Sequence, residues 1–300
     1  MYKDLINYLE KTDVPFFKDE PLSRHTTFRI GGNADLYITP ESSESFIGVL
    51  DYAREMGLRT YILGRGSNVL FSDDGFHGLV VSTEKINKTV VEGNRIIADC
   101  GVSFTQLAVA ARDAGLSGLE FAYGIPGSVG GAVYMNAGAY GGQVSDCLKS
   151  STAYDVRQGR IICTDGEDHS FGYRTSIYKK NSDLRILSAE FELTPKDKDT
   201  IKTEMDDYMG RRRDKQPLEF PSAGSVFKRP EGRFVGQMVE ELGLKGYSVG
   251  GAQVSEKHAG FIINKGGATA SDVLNLIEYI KERVNSAYGV MLECEVIFVK

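Results

Sequence analysis

The chain has 300 residues, of which 41% are hydrophobic and 25% charged, a composition typical of globular proteins. Its formal net charge of −6 argues against a nucleic-acid or membrane-surface partner bound by bulk electrostatics, although it leaves room for a local basic pocket that binds an anionic small molecule. The first ten residues carry charges within a short apolar pattern, so we expect neither a signal peptide nor a membrane span.

The predicted elements of the first two thirds of the chain mix helices with strands. In chain order we predict a helix at 2–11, a strand at 34–39, a helix at 43–56, strands at 60–63 and 78–83, a hairpin at 88–100, a helix at 103–114, and strands at 148–156, 160–163 and 184–193. Ser103 is the expected N-cap of the helix at 103–114, and Ser42 or Ser43 is the expected N-cap of the helix at 43–56. This pattern predicts an α+β fold.

The last third of the chain begins with a helix, after which helices and strands alternate. We predict helices at 199–213, 234–242 and 271–288, the last capped by Ser271, and strands at 260–264 and 292–299. This order indicates a small α/β layer domain, and Pro217 and Pro221 mark the clearest domain boundary.

Cysteines and histidines show no metal-binding pattern. The four residues of each type are scattered, without a CxxC motif or metal-ligand spacing. We therefore expect buried free thiols, a reducing cytoplasmic compartment and no metal.

The stretch from Gly124 to Gly142 contains seven glycines, three alanines and no charged residue. We expect it to contribute little core and to bring its backbone close to a ligand, because glycine permits close approach and successive N–H groups bind phosphates. A tightly packed turn where backbones cross is the alternative. Pro126 fixes the entry and Asn136 is the only amide, and a run of this length favours the ligand loop.

A second glycine loop, Gly64-Arg-Gly-Ser-Asn-Val-Leu, follows a predicted strand. It lacks the third glycine of a dinucleotide-binding fingerprint, and the chain has no GxxxxGK[ST] motif, which argues against a nucleoside triphosphatase. Its two glycines, hydroxyl and amide suit a phosphate, and a simple turn explains them equally well.

Three polar residues are candidates for chemistry. Arg174 lies in a polar island between strands, Ser225 follows the proline-bounded loop, and Glu295 lies in an apolar strand that would disfavour its charged form. A surface ion pair, a turn hydroxyl and a solvated strand face explain them as well. Ser225 is not part of a GxSxG motif, so serine-hydrolase chemistry has no support.

A basic cluster, Arg211-Arg-Arg-Asp-Lys, ends the helix predicted at 199–213. Cations near a helix C-terminus complement the helix dipole, which explains one or two of them. Four in five residues also suit an anion site.

Six motifs together carry a family resemblance. In chain order they are Thr27-Phe-Arg-Ile-Gly-Gly, Leu63-Gly-Arg-Gly-Ser-Asn-Val-Leu, Gly124-Ile-Pro-Gly-Ser-Val-Gly-Gly-Ala-x-x-Met-Asn-Ala-Gly-Ala-Tyr-Gly, Gly172-Tyr-Arg-Thr-Ser, Ala223-Gly-Ser-Val-Phe-Lys and Leu292-Glu-Cys-Glu-Val. Over almost the whole chain the sequence closely resembles the bacterial UDP-N-acetylenolpyruvoylglucosamine reductase family.

The resemblance implies a fold and an activity. It implies a two-part FAD-binding region of the vanillyl-alcohol-oxidase type, at 1–80 (joined by the C-terminal strand) and 81–200, followed by a substrate-binding domain at 201–300. It also implies non-covalent FAD, NADPH as electron donor, and reduction of UDP-N-acetylglucosamine enolpyruvate to UDP-N-acetylmuramate. This step belongs to peptidoglycan synthesis, and hence to cell-wall biogenesis, cell shape and division. A cytoplasmic monomer is expected.

The resemblance assigns roles to the candidates. Arg174 and Glu295 would stabilise the enolate, and Ser225 would protonate it, with Lys228 or water as the donor behind the serine. Arg212 and Lys215 would bind diphosphate, Arg212 that of the cofactor, and Lys215 and Lys228 would contact the substrate. The implied cofactor-binding residues of the two loops are Gly64, Arg65, Gly66, Ser67, Asn68, Val69, Gly124, Ile125, Pro126, Gly127, Ser128, Gly130, Gly131, Asn136, Ala137, Gly138, Tyr140 and Gly141.

The family has two subclasses, which differ in an extra loop bearing a tyrosine that covers the substrate. No inserted segment follows Arg174, although Tyr178 lies nearby, so we expect the shorter subclass and leave the covering residue open.

Two other function classes stay open. A different flavin oxidase or dehydrogenase on the same fold would be reoxidised rapidly by oxygen and would not respond to the sugar nucleotide. A non-enzymatic binder of nucleotide sugars would use the glycine loops for UDP and would bind no flavin.

Overall fold

The computed structural model describes residues 2–300. Its helices are α1 (Lys3–Lys11), α2 (Ser43–Glu55), α3 (Phe104–Ala114), α4 (Val129–Met135), α5 (Ile177–Lys180), α6 (Lys198–Lys215), α7 (Val235–Glu241) and α8 (Ala270–Tyr288). Short 3-10 helices lie at Leu22–His25, Glu120–Ala122, Val144–Asp146 and Gly166–His169. The strands are β1 (Phe16–Pro21), β2 (Asn33–Ile38), β3 (Thr60–Leu63), β4 (Val69–Phe71), β5 (Phe76–Ser82), β6 (Thr89–Glu92), β7 (Arg95–Asp99), β8 (Leu116–Ser117), β9 (Gly138–Ala139), β10 (Gly142–Gln143), β11 (Leu148–Asp155), β12 (Arg160–Asp165), β13 (Leu184–Glu192), β14 (Thr194–Pro195), β15 (Ser222–Ser225), β16 (Ser248–Val249), β17 (Ala252–Val254), β18 (Phe261–Asn264) and β19 (Ile297–Val299).

The first of two compact units comprises residues 2–18, 36–65 and 78–210. Its five-stranded antiparallel sheet has the order β12-β11-β13-β7-β6, and α3 and α4 bury Phe104, Leu107 and Val133 in the core beside it. A second sheet has the order β1-β2-β5-β3, and α1 and α2 pack Leu9 and Phe46 into a separate core there. The ranges of the units change within β1, β2, β5 and α6, and between Arg65 and Gly66.

The second unit comprises residues 19–35, 66–77 and 211–300. Its antiparallel sheet has the order β15-β18-β17-β16. The parallel pair β4 and β19 places Val69 in register with Ile297, 228 residues further along the chain. The helix α8 buries Val273, Ile277 and Val284, which share one face at helical spacing.

Most predicted elements are confirmed, and so is the α+β class. The hairpin forms as β6 and β7 around Gly93, and α2 is capped by Ser42 in a capping box with Ser45. The division into three domains stays a prediction.

Several predictions are wrong. The cap of α8 is Thr269, which forms a capping box with Asp272, and Ser271 lies inside the helix. The strand predicted from Leu292 pairs as a ladder only from Ile297 to Val299, because the preceding segment makes an isolated bridge at Cys294 instead. Cys163 is exposed, whereas Cys100 and Cys147 are buried and Cys294 is half-buried.

No helix among residues 2–300 is both long and apolar enough to cross a membrane. Nor does the described part of the chain gather three or more His, Cys, Asp or Glu side chains that could hold a metal ion.

Asp73 is expected to stabilise the second unit by accepting hydrogen bonds at the N-terminus of α8, beside the Thr269 cap. Its carboxylate accepts hydrogen bonds from the Ala270 amide (2.6 Å), the Ser271 amide (2.9 Å) and the Ser271 hydroxyl (2.8 Å). Asp73→Ala leaves these donors without the carboxylate and removes a negative charge from the helix N-terminus, so we expect the free energy of unfolding to fall by about 1–2 kcal/mol. Urea denaturation followed by circular dichroism measures this. Asp74→Ala is the control, since that exposed side chain neighbours Asp73, and an equal loss in both variants contradicts the capping role.

Candidate active site

The glycine stretch folds around a short helix. Ser128 caps α4 by accepting a hydrogen bond from the Gly131 amide, and Asn136 ends it in the left-handed conformation with φ of +43°. The expectation that this stretch contributes little core is wrong. The helix places Val129 and Val133, four residues apart, in the core of the first unit with no solvent exposure.

Some glycines of the two loops lie close to other parts of the protein. A Cβ at Gly64 would lie 2.4 Å from the Ser128 hydroxyl, and one at Gly130 would lie 3.0 Å from the Cβ of Cys100. The Gly130 amide also donates to the Cys100 carbonyl at 2.8 Å, so two backbones cross at Gly130, as the alternative interpretation proposed. Gly131 and Gly141 are exposed instead, and a Cβ at Gly141 would meet no atom within 4 Å. The stretch therefore has a packed side and an accessible side.

The loop at Gly66–Asn68 in the second unit directs backbone carbonyl groups toward the protein. The Gly66 carbonyl accepts a hydrogen bond from the Thr27 amide and the Asn68 carbonyl accepts one from the Ile297 amide, each at 3.0 Å. The backbone amides of Gly66, Ser67 and Asn68 donate to no group within residues 2–300. A loop whose carbonyls bind the protein and whose amides remain available suits a phosphate. Gly66 is required here, since its φ is +60° and a Cβ would lie 2.0 Å from the His25 carbonyl oxygen.

Arg174 contacts the glycine stretch within the first unit. Its guanidinium donates to the carbonyl oxygen of Gly138 (Nη2, 3.1 Å) and to that of Asn136 (Nη1, 3.5 Å). The Asn136 side chain in turn donates to the Gly172 carbonyl at 3.2 Å, so an amide on the glycine stretch holds the segment that carries the arginine. The fold therefore joins two of the sequence motifs.

The backbone of Arg174 is strained. Arg174 and Tyr173 form the tip of a turn that two backbone hydrogen bonds close between Gly172 and Thr175, at 3.1 and 3.3 Å. Arg174 has a φ of +55°. This conformation costs a non-glycine residue about 1–3 kcal/mol, so it persists only where the surrounding structure holds it.

Ser225 and Glu295 lie on adjacent segments of the second unit. The Glu295 amide donates to the Val226 carbonyl at 2.8 Å, and Phe227 forms a bridge with Cys294. The Asn68 side chain donates to the Glu295 carbonyl at 3.2 Å. These contacts bring together the Gly66–Asn68 loop, the segment that carries Ser225 and the segment that carries Glu295, all within one unit.

Lys228 forms an ion pair with Glu293. Its ammonium lies 2.8 Å from Glu293, which is 74% exposed, and this contact lowers the pKa of the glutamate. The Ser225 hydroxyl donates to the Phe227 carbonyl at 3.4 Å. In this arrangement the lysine points toward Glu293, so its role as a donor behind Ser225 stays a prediction.

The remaining predicted residues divide by exposure. Arg212 is buried (7% exposed), and its Nη1 donates to Gln216 at 3.3 Å, whereas Lys215 at the end of α6 is exposed. Arg65 is exposed and its guanidinium lies 3.8 Å from Glu84. Tyr140 stacks on Tyr208 of α6 with ring centroids 4.8 Å apart.

Sequence reasoning assigned no role to Thr27 and Lys179, two residues that organise the site. Thr27 ties the Gly66 loop to β15 through its hydroxyl, which donates to the Ser222 carbonyl at 2.7 Å. Thr27 belongs to one of the six motifs of the family resemblance, but that motif did not indicate what the threonine does. Lys179 donates to the Arg174 carbonyl at 3.2 Å. Tyr178 is buried (2% exposed), so it does not cover a substrate at the surface.

Two family models match the chain. The FAD binding domain matches residues 34–165, and the UDP-N-acetylenolpyruvoylglucosamine reductase C-terminal domain matches residues 216–299. A UDP-N-acetylenolpyruvoylglucosamine reductase of Clostridium novyi is 48% identical over 98% of this chain and 94% of its own length. The chain belongs to this reductase family.

Solved structures agree with this membership. The crystal structure of the UDP-N-acetylenolpyruvylglucosamine reductase of Thermus caldophilus is 32% identical, covers 96% of this chain and 99% of its own, and has a TM-score of 0.82. An alkyldihydroxyacetonephosphate synthase, 16% identical over 65% of this chain with a TM-score of 0.52, shares the fold alone. The predicted FAD-binding region followed by a C-terminal domain is thus confirmed, and the chain is an FAD-dependent oxidoreductase.

Proposed function

We propose that this enzyme reduces the enolpyruvyl ether of UDP-N-acetylglucosamine enolpyruvate to the lactyl ether of UDP-N-acetylmuramate, with NADPH as electron donor. The name of the relatives supports the substrate. The observation that carries the proposal is the hydrogen bond from the Arg174 guanidinium to the Gly138 carbonyl. Gly138 belongs to the glycine stretch, which lies in the region matched by the FAD-binding domain. A fixed cation at this place suits a reaction that develops negative charge on a carboxylate-bearing substrate.

The residues present fit FAD. The available amides of Gly66–Asn68 suit its diphosphate, and the accessible side of the glycine stretch, with Gly131 and Gly141, lets a planar ligand approach the backbone. When bound, FAD supplies the hydride transfer between the nicotinamide and the substrate. We propose that the other loop residues predicted from the sequence, and Arg212, contribute to the same binding.

Arg174 is proposed to stabilise the negative charge that spreads into the substrate carboxylate once hydride has reached the terminal methylene carbon. Its guanidinium is already held by two carbonyl oxygens, so it needs little reorganisation when the charge develops. Glu295 is proposed to assist through a hydrogen bond, which requires that it be protonated or donate through another group.

Ser225 is proposed to deliver the proton to the carbon that bears the ether oxygen. A hydroxyl is a weak acid, so it must regain its proton from a donor, water or Lys228. Lys215 and Lys228 are proposed to contact the substrate, and the shorter subclass, a cytoplasmic location, a monomeric state and a part in cell shape and division complete the proposal.

Absorbance spectroscopy tests the function directly. We expect the purified protein to be yellow, to bleach on addition of NADPH without oxygen, and to regain its colour when UDP-N-acetylglucosamine enolpyruvate is added. UDP-N-acetylglucosamine, which lacks the enolpyruvyl group, is the matched control and should leave the reduced flavin unchanged. Rapid recovery with oxygen and none with the enolpyruvyl substrate would favour a different flavin oxidase, and a protein that binds the sugar nucleotide but not FAD would contradict the proposal.

A further inference from the structure

Three buried polar side chains connect both ends of the Arg174 turn to one strand of the five-stranded sheet. The Ser151 hydroxyl on β11 lies 2.7 Å from Nε2 of His169, which precedes the turn, and 2.6 Å from the hydroxyl of Tyr178, which follows it. Their exposed fractions are 1%, 0% and 2%. We call Ser151, His169 and Tyr178 the anchor network.

The contact between His169 and the Gly166 carbonyl determines which groups of the anchor network donate and which accept. Nδ1 of His169 lies 3.0 Å from the Gly166 carbonyl, which can only accept, so Nδ1 carries the proton and Nε2 accepts from the Ser151 hydroxyl. Ser151 then accepts from Tyr178. Burial lowers the pKa of His169, against the opposing effects of the Gly166 carbonyl, Asp165 and Asp168, and so favours the neutral ring that this chain of hydrogen bonds requires.

A serine paired with a histidine also resembles a nucleophile with its base. A nucleophile must reach its substrate, and all three side chains of the anchor network are enclosed by protein. Burial therefore favours a structural role that acts on the adjacent turn.

Further contacts hold the residues that lie between the anchor network and the Arg174 turn. Between Tyr178 and the turn, the Ser176 hydroxyl donates to the Tyr134 carbonyl at 2.8 Å. Between His169 and the turn, the His169 and Phe171 rings stack with centroids 5.0 Å apart. Both stems are thus fixed, and the strained φ of Arg174 is enforced from outside the residue.

We propose that Ser151, His169 and Tyr178 are positioning residues for the enzyme's reaction, because they hold the turn that aims the Arg174 guanidinium. The inference rests on the proposed function of Arg174 as the group that stabilises the substrate's negative charge. It predicts that loss of one hydroxyl in the anchor network slows the step that needs Arg174 and leaves reduction of the enzyme by NADPH unaffected.

Tyr178→Phe tests the inference, with Tyr154→Phe as the matched control. Both tyrosines are buried in the first unit. Tyr154 lies on β11, the strand that carries Ser151, and its hydroxyl donates to Asp51, outside the anchor network. On the FAD-loaded enzyme, stopped-flow absorbance should show reoxidation by the enolpyruvyl substrate slowed about tenfold in Tyr178→Phe and changed less than about twofold in Tyr154→Phe. Reduction by NADPH should stay within about twofold of the unaltered enzyme in both.

A double-mutant cycle shows whether the effect passes through Arg174. In an Arg174→Ala background, Tyr178→Phe should add less than about a twofold further loss, because the positioned group is absent. An unchanged tenfold loss in both backgrounds overturns the inference and leaves the proposed function intact. If Arg174→Ala alone leaves reoxidation unchanged, the proposed role of Arg174 fails and the inference fails with it.

A second pair of variants covers the case in which Tyr178→Phe folds poorly. His169→Gln keeps an acceptor for Ser151, whereas His169→Leu has a similar size and keeps none. We expect the glutamine variant to be reoxidised within about threefold of the unaltered enzyme and the leucine variant about tenfold more slowly. Equal rates in the two variants overturn the inference.

Discussion

Arg174→Ala is expected to slow reoxidation of the reduced enzyme by UDP-N-acetylglucosamine enolpyruvate by about 10²–10³-fold, the usual consequence of removing a preorganised group that stabilises developing charge. Reduction by NADPH should change little, because no negative charge develops on the enolpyruvyl group in that half-reaction. Stopped-flow measurement of the two half-reactions separates these effects.

Two further variants sharpen this prediction. Arg95→Ala removes the same charge from an exposed ion pair with Glu190 in the same unit and should leave both half-reactions unchanged. Arg174→Lys retains a positive charge but not the planar fork that reaches the Gly138 and Asn136 carbonyls, so it should recover only part of the lost rate. A parallel loss in both half-reactions of Arg174→Ala would mean that the arginine supports FAD binding and not the chemistry.

The periodic elements could be predicted from the sequence, and the irregular ones could not. The helix α8 follows from apolar spacing alone, since Val273, Ile277 and Val284 lie on one face. The short helix α4 was missed because its glycines oppose helix formation. The burial of Val129 and Val133 and the Ser128 cap together outweigh that tendency. Its propensity was overridden by packing that no local pattern reports.

The candidate site shows the same division. The glycine loops and Arg174 were recognisable by composition and motif, whereas their contacts join segments far apart in the chain, such as Asn68 with Glu295. The anchor network could not be found from the sequence. Ser151 lies in an ordinary strand, and nothing local indicates that it meets His169 and Tyr178 in the core.

The glycine stretch also shows why composition alone is ambiguous. Gly64 and Gly130 are small because other parts of the protein pass close to them, while Gly131 and Gly141 face an accessible side. Close packing therefore explains Gly130, and the ligand-loop interpretation of the exposed glycines stays a prediction. A Cβ added at Gly64 would lie 2.4 Å from the Ser128 hydroxyl and would therefore disturb the cap of α4.

Ser225→Ala is expected to slow reoxidation by the enolpyruvyl substrate by about 10²–10⁴-fold, the range lost with a general acid, and to leave reduction by NADPH nearly unchanged. The Ser225 hydroxyl bonds only weakly to the Phe227 carbonyl at 3.4 Å, so its removal should cost little stability, and a slow rate would report on chemistry.

The matched control for Ser225→Ala is Ser222→Ala on the same strand. Ser222 uses its backbone, not its hydroxyl, to bind Thr27, so its loss should leave both half-reactions unchanged. A solvent deuterium isotope effect adds a second criterion, since proton delivery by Ser225 predicts an effect on reoxidation and none on reduction. If both half-reactions of Ser225→Ala fall together, or if Ser222→Ala is equally slow, the serine shapes the site and does not deliver the proton. In that case the segment at Glu295, whose amide is bonded to the Val226 carbonyl beside the serine, becomes the next place to search for the acid.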